Sequence, residues 1–254
     1  MPGQVPDPAS RPLARLWPWG ESAHGPLPAL LIALTLVTGL VDAVSYVALG
    51  HVFVANMTGN VVFLGFAIAG APGLSLAASL TAMAAFVVGA LAGGRIGVAL
   101  GADRGRHLGA MTAGGGSLLV IAAIAAAIAG QPVSPGARYA LIAPMAVAMG
   151  AQNAMARQLA VPDLTTTVLT MTVTGIAADS RLAGGRGGHP GRRLIAVGAM
   201  FAGALAGALL VLHVDVALPL ALAALSVGAT ALVALRLAGR PGAAAWTRPP
   251  ASSP

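Results

Sequence analysis

The chain has 254 residues, is 57% hydrophobic and only 8% charged, and has a mean hydropathy of +0.85, whereas a soluble domain carries about 25% charged residues. Its formal charge of +7 comes from 14 arginines and no lysine against seven acids. The arginines gather between apolar windows, as in cytoplasmic membrane loops, so a nucleic-acid surface is not expected. Cysteine is absent, which excludes disulfides, thiol nucleophiles and thiolate metal sites.

Residues 1–26 are rich in proline and carry Arg11 and Arg15, which predicts a disordered cytoplasmic tail. Eight apolar windows follow: 27–49, 52–70, 74–100, 109–130, 137–157, 164–179, 194–212 and 215–237. Windows of about 20 apolar residues are long enough to cross a bilayer as helices. The 27–237 stretch reads as a single transmembrane domain and 238–254 as a second disordered cytoplasmic tail. Period-2 alternation is missing, so the windows predict helices and not a β-barrel.

Eight separate crossings with the N-terminus inside would leave Arg95, Arg104, Arg106 and Arg157 outside. If windows one and two make one net crossing, and windows five and six another, only Arg138 lies outside and Arg157 falls within the membrane region. The arginine bias therefore favours about six net crossings with both termini cytoplasmic. The chain must then break or re-enter near 48–60 and near 158–174.

The two halves echo each other. Gly39-Leu-Val-Asp42-Ala43 returns as Gly150-Ala-Gln-Asn153-Ala154, 111 positions on. Met57-Thr58 returns as Met171-Thr172, and Gly89-Ala-Leu-Ala-Gly93 as Gly203-Ala-Leu-Ala-Gly207, both at 114. Two repeats result, about 27–130 and 137–237. Three net crossings is an odd number, so the halves must be inverted, and the opposite arginine content of equivalent loops agrees. The predicted fold is an all-α polytopic membrane protein with two inverted three-crossing repeats.

Polar residues concentrate at the two breaks. Broken backbone at membrane depth survives only where protein or a wet cavity satisfies it. Asp42 is the one acid well inside an apolar window of the first half, and an intramembrane carboxylate should face inward with a partner. Ser45 and Tyr46 lie one turn on, and Asn153 has Arg157 at the equivalent place, which suggests an Asp42–Arg157 pair across the halves. That pair is either a gate or proton carrier, or a static structural pair. Thr166, Thr170 and Thr174 share a helix face and line either a substrate surface or a packing face. With Asn56, Thr58, Asn60, Gln152 and Thr167, these residues form the candidate substrate-binding set. His51 is either a proton relay or an interfacial histidine. No metal-ligand spacing or nucleophile–base pair occurs, so neither a metal site, a cofactor nor enzymatic chemistry is expected. Gly89, Gly93, Gly97 and Gly101 offer a close-packing face, or a face for a homo-oligomer.

The stretch GLVDAVSYVALGHVFVANMTGN (39–60), with GAQNAMARQ (150–158) and TTTVLTMT (165–172), resembles the YoaK-type family of bacterial integral membrane proteins, a domain of unknown function. The matching motif residues are Gly39, Asp42, Ala43, Asn56, Thr58, Gly59, Asn60, Gln152, Asn153, Thr167 and Thr170. The resemblance implies an inner-membrane protein with about six membrane segments and brings no substrate. The leading expectation is a small secondary transporter or permease for a small solute, with a midplane polar site and a coupling proton. The alternative is a non-transporting membrane component that binds a lipid or a partner protein.

Overall fold

The structure, a computed structural model, describes residues 24–101, 103–162, 164, 169–185 and 190–248. Among these residues it is helical, with no strand: α1 (Leu27–Ala48), α2 (Met57–Ile68), α3 (Leu76–Leu100), α4 (Arg104–Ala129), α5 (Pro135–Leu159), α6 (Leu169–Ala178), α7 (Pro190–His213), α8 (Ala217–Ala238) and α9 (Ala244–Thr247). Helices α1, α3, α4, α7 and α8 are long and apolar enough to cross a membrane. Helix α5 has 25 residues too, but it carries Arg138, Gln152, Asn153 and Arg157. Helices α2 and α6, with 12 and 10 residues, reach only about 15–18 Å at 1.5 Å per residue.

Local chemistry sets the helix ends. The Ser75 hydroxyl accepts from the Ala78 amide, Asp103 from Arg106 and Ser134 from Ala137, each satisfying a free donor of the first turn. Gly101 and Gly130 end α3 and α4, both at φ 66°, where a side chain would be strained. Outward side chains such as Val98, Ile128, Phe201 and Leu225 are apolar and exposed, the surface a bilayer covers.

The long helices interlock. Among the described residues α1 packs on α7, α8 and α5, α3 packs along α5, and α4 packs along α8. The tightest approaches are at glycines. A Cβ on Gly39 would meet the Met200 carbonyl and Ala204 amide of α7, and one on Gly150 the Phe86 carbonyl and Ala90 amide of α3. Gly203 faces the Leu36 carbonyl as Gly89 faces that of Val147, and Gly207 lies on Leu40 as Gly93 lies on Ala151. Each contact is its counterpart shifted by 111 positions on α1 and α5 and by 114 on α3 and α7. These glycines are thus occupied within the chain; Gly94 and Gly198 have nothing within 4 Å of a built Cβ.

Helices α1 and α5 run antiparallel. Gly50, just beyond α1, lies beside the Arg138 guanidinium at the start of α5. At the other end His24, just before α1, meets Arg104, which donates to the Leu159 carbonyl at the end of α5. That second face gathers the start of α4 and the ends of α5 and α8, and with them Arg104, Arg106, Arg157, Arg236 and Arg240.

The segment expected as a C-terminal tail departs from expectation in its first part. Residues 239–248 fold back across the arginine-rich face, and Trp246 is buried. Its indole fits against Gly25 and Gly105, where any side chain would collide with it. Residues 1–23 and 249–254 lie outside the described residues.

Candidate functional site

The expected break at 48–60 is present as a return of the chain. Helix α1 ends at Ala48, and Gly50 (φ 96°) and His51 (φ 57°) reverse the backbone. The His51 Nδ1 lies 2.9 Å from the Gly73 carbonyl in the α2–α3 connection, so this turn sits at the same end as residue 73. Residues 52–56 then run back along α1. The Val54 and Ala55 amides donate to Asp42 Oδ1 at 2.9 and 2.8 Å, and Asp42 lies six residues, about 9 Å, before the end of α1. Helix α2 starts at that depth.

Two side chains hold the return. Asp42, buried, takes two successive amides that would otherwise be unpaired at membrane depth. Asn60, with no exposed surface, accepts from the Phe53 amide and donates to the Phe53 carbonyl. Gly59 leaves room for the Phe53 ring, which a Cβ would touch at 2.7 Å. Tyr46 stacks on Phe53 with centroids 5.2 Å apart, and Phe53 on Phe63 at 5.6 Å. Asn56 caps α2 by accepting from the Gly59 amide.

Between the first turns of α2 and α6 lies a cavity of about 520 Å³. Asn56, Thr58 and Thr170 supply its polar side chains, and Phe63, Phe86 and Met200 its apolar wall; among the described residues no charged side chain lines it. Three pairs of lining residues stand 114 positions apart: Ala55 and Leu169, Asn56 and Thr170, Phe86 and Met200.

The remaining expected site residues that are described lie outside this lining. Gln152, buried on α5, donates to the Thr38 hydroxyl of α1 at 2.9 Å. Asn153 donates to the Met149 carbonyl of its own helix. Tyr46 belongs to the aromatic stack, and Thr174 is exposed on α6. Thr166 and Thr167 fall outside the described residues. The Asp42–Arg157 pair is not formed: Asp42 is bonded to the 54–55 backbone, and Arg157 is exposed in the last turn of α5. The cause is the antiparallel packing, which sends the C-terminal ends of α1 and α5 to opposite faces. The residues missed in the sequence include Phe63, Phe86 and Met200. The 114-position relationship of Phe86 and Met200 was the available signal, but neither differs in type from its lipid-facing neighbours.

The apolar helices, the interlocked packing and the broken segment held at depth define an all-α, multi-pass membrane protein. Within that class, the chain belongs to the family described as Protein of unknown function (DUF1275), which it matches over residues 30–233. It is similar to UPF0700 transmembrane protein YoaK of Bacillus subtilis (strain 168), at 35% identity over 154 residues, 59% of this chain and 65% of that protein. The matched stretch is thus just under two thirds of that relative's own length. No solved structure matches the chain. The YoaK-type resemblance drawn from residues 39–60, 150–158 and 165–172 is therefore shown.

Proposed function

We propose that this protein is a small secondary transporter or permease of the bacterial inner membrane, with six crossings, inverted halves and both termini in the cytoplasm. The observation that carries the reading is the cavity of about 520 Å³ between the first turns of two half-length helices, lined by residues paired at the repeat offset. Short helices that start at membrane depth and face a shared cavity are the usual construction of a transporter site. The matched glycine contacts of α1–α7 and α3–α5 support the inverted halves, and Arg138 as the single arginine at the Gly50 end among the described residues supports the orientation. The lining, uncharged among the described residues, suits a small neutral or amphipathic solute, because a bare ion would lose hydration without a counter-charge.

The test is uptake by the purified chain in proteoliposomes, using a panel of small neutral and amphipathic solutes. Flux above protein-free vesicles that Thr170→Trp abolishes, with unchanged thermal stability, supports the reading. No flux for any solute, or flux indifferent to Thr170→Trp, overturns it.

A second reading has its own observation. Helices α2 and α6 expose large apolar side chains, including Phe66, Ile68 and Met171. A non-transporting component would seat a partner protein or lipid there, and would give stable co-purification without flux.

A further inference from the structure

The chain after α8 is not a free tail. It turns at Gly242 (φ 85°) and is pinned by Trp246, so that it closes one side of a second cavity of about 480 Å³. The end of α8 and the N-cap of α4 form the other sides. Its lining includes Asp103, Ala238, Arg240, Gly242, Thr247 and Arg248.

Two features give this cavity a chemistry. Arg240 and Arg248 line it from different parts of the fold-back, and neither makes a side-chain hydrogen bond or ion pair among the described residues. Asp103, the one acid in the lining among the described residues, accepts the Arg106 amide with Oδ1 at 2.9 Å as the cap of α4, and two arginines against one carboxylate leave the lining net positive. Two unengaged planar cations around a small space suit a phosphate group, which guanidinium recognises through paired N–H donors.

The surroundings choose between a lipid and a soluble anion. Ala238 lines the cavity, and one turn earlier on α8 Leu235 is 47% exposed, with Leu232 48% exposed a further turn down. The cavity thus opens where a membrane-spanning helix passes from apolar exposed side chains to arginine. A phospholipid would bring its phosphate to Arg240 and Arg248 and lay its acyl chains along Leu235 and Leu232. A soluble phosphate would leave that apolar approach unused. We propose that the C-terminal fold-back is a binding site for the headgroup phosphate of an anionic phospholipid. The site is separate from the cavity between α2 and α6 and does not depend on transport.

The experiment uses the full chain, purified and placed in nanodiscs or mixed micelles of phosphatidylglycerol and phosphatidylcholine, with retained lipid counted by native mass spectrometry. Wild type should retain phosphatidylglycerol preferentially. Arg240→Gln and Arg248→Gln should each weaken that retention about fivefold, from about 1 kcal/mol per arginine near a membrane surface. Both side chains are exposed, and unchanged thermal unfolding would verify that the variants fold. Arg157→Gln, an exposed arginine on the same face outside the cavity, should have no effect. No preference in wild type, full retention in the double variant, or an equal loss in Arg157→Gln would each overturn the site. Displacement of phosphatidylglycerol by millimolar inorganic phosphate would overturn the lipid assignment in favour of a soluble anion.

Discussion

Asn60 holds Phe53 by both polar groups of its backbone, its Oδ1 accepting the amide at 2.9 Å and its Nδ2 donating to the carbonyl at 2.6 Å. One side chain thus does for the returning segment what a neighbouring strand does in a sheet. Asn60→Leu leaves a buried donor and acceptor unpaired, at about 1–3 kcal/mol each. A clear drop in unfolding temperature in detergent is expected. Asn60→Asp, which keeps only the acceptor, should fall between Leu and wild type.

Asp42 acts on the same segment from the other side. Asparagine at this position retains a carbonyl oxygen to accept the Val54 and Ala55 amides, whereas alanine retains none. Asp42→Asn should therefore lose little stability and Asp42→Ala about 3 kcal/mol or more. The pair also separates two roles. If Asp42 carries a coupling proton, Asp42→Asn abolishes pH-driven flux in a folded protein; if it only holds the return, flux survives.

The glycine contacts make paired predictions. Valine at Gly39, Gly150, Gly89 or Gly203 must push apart two backbones, which costs about 3 kcal/mol or more, and the losses should match within the pairs Gly39/Gly150 and Gly89/Gly203. Alanine at Gly94 or Gly198, which have nothing within 4 Å of a built Cβ, should be neutral or slightly stabilising, because alanine favours helix. Thermal unfolding of the six variants decides this.

His24 lies outside the membrane helices, with its Nδ1 3.1 Å from Arg104 Nη2. Burial, then the positive charges of Arg104 and Arg192, hold its imidazole below the usual histidine range. The folded state therefore favours neutral His24. That contribution is present above the ordinary value of 6.5 and is lost as the pH falls through the lowered one. Unfolding temperature should be level above about pH 7 and decline on acidification below about pH 6.5, and His24→Gln should flatten that part of the profile.

The orientation is open to direct labelling, because the chain has no cysteine of its own. In intact cells, a cysteine replacing exposed Arg106 should be shielded from a membrane-impermeant maleimide, and one replacing exposed Gln131 should react. The reverse pattern would turn the whole bundle over.

The sequence carried much of this arrangement and lost specific parts of it. The echo of Gly39 in Gly150 and of Gly89 in Gly203 is visible because small residues are needed wherever two backbones touch, and those contacts recur in both halves. The break near 48–60 was legible from polar residues crowded into an apolar window. The partner of Asp42 was not, since a carboxylate is satisfied as well by two amides as by an arginine, and residue type does not say which. The antiparallel sense of α1 and α5 already placed Arg157 at the wrong end. The fold of 239–248 was hidden because it depends on Trp246 meeting Gly25 and Gly105, far away in the chain and in a stretch otherwise rich in proline and alanine. Asn56, Thr58 and Thr170, singled out as polar residues near the two expected breaks, line the cavity, while its aromatic and thioether wall is indistinguishable in sequence from a lipid-facing surface.

The partners of α1 have a consequence for assembly. Among the described residues its extended helix–helix contacts are with α5, α7 and α8, so apart from the short return at 52–56 this helix has no long helical partner until the second half of the chain has been made. A ribosome that stalled after residue 130 would leave a stranded hydrophobic rod for quality-control proteases to find. Conversely, the two halves made as separate polypeptides in one cell should need each other to survive, each serving as the other's missing scaffold.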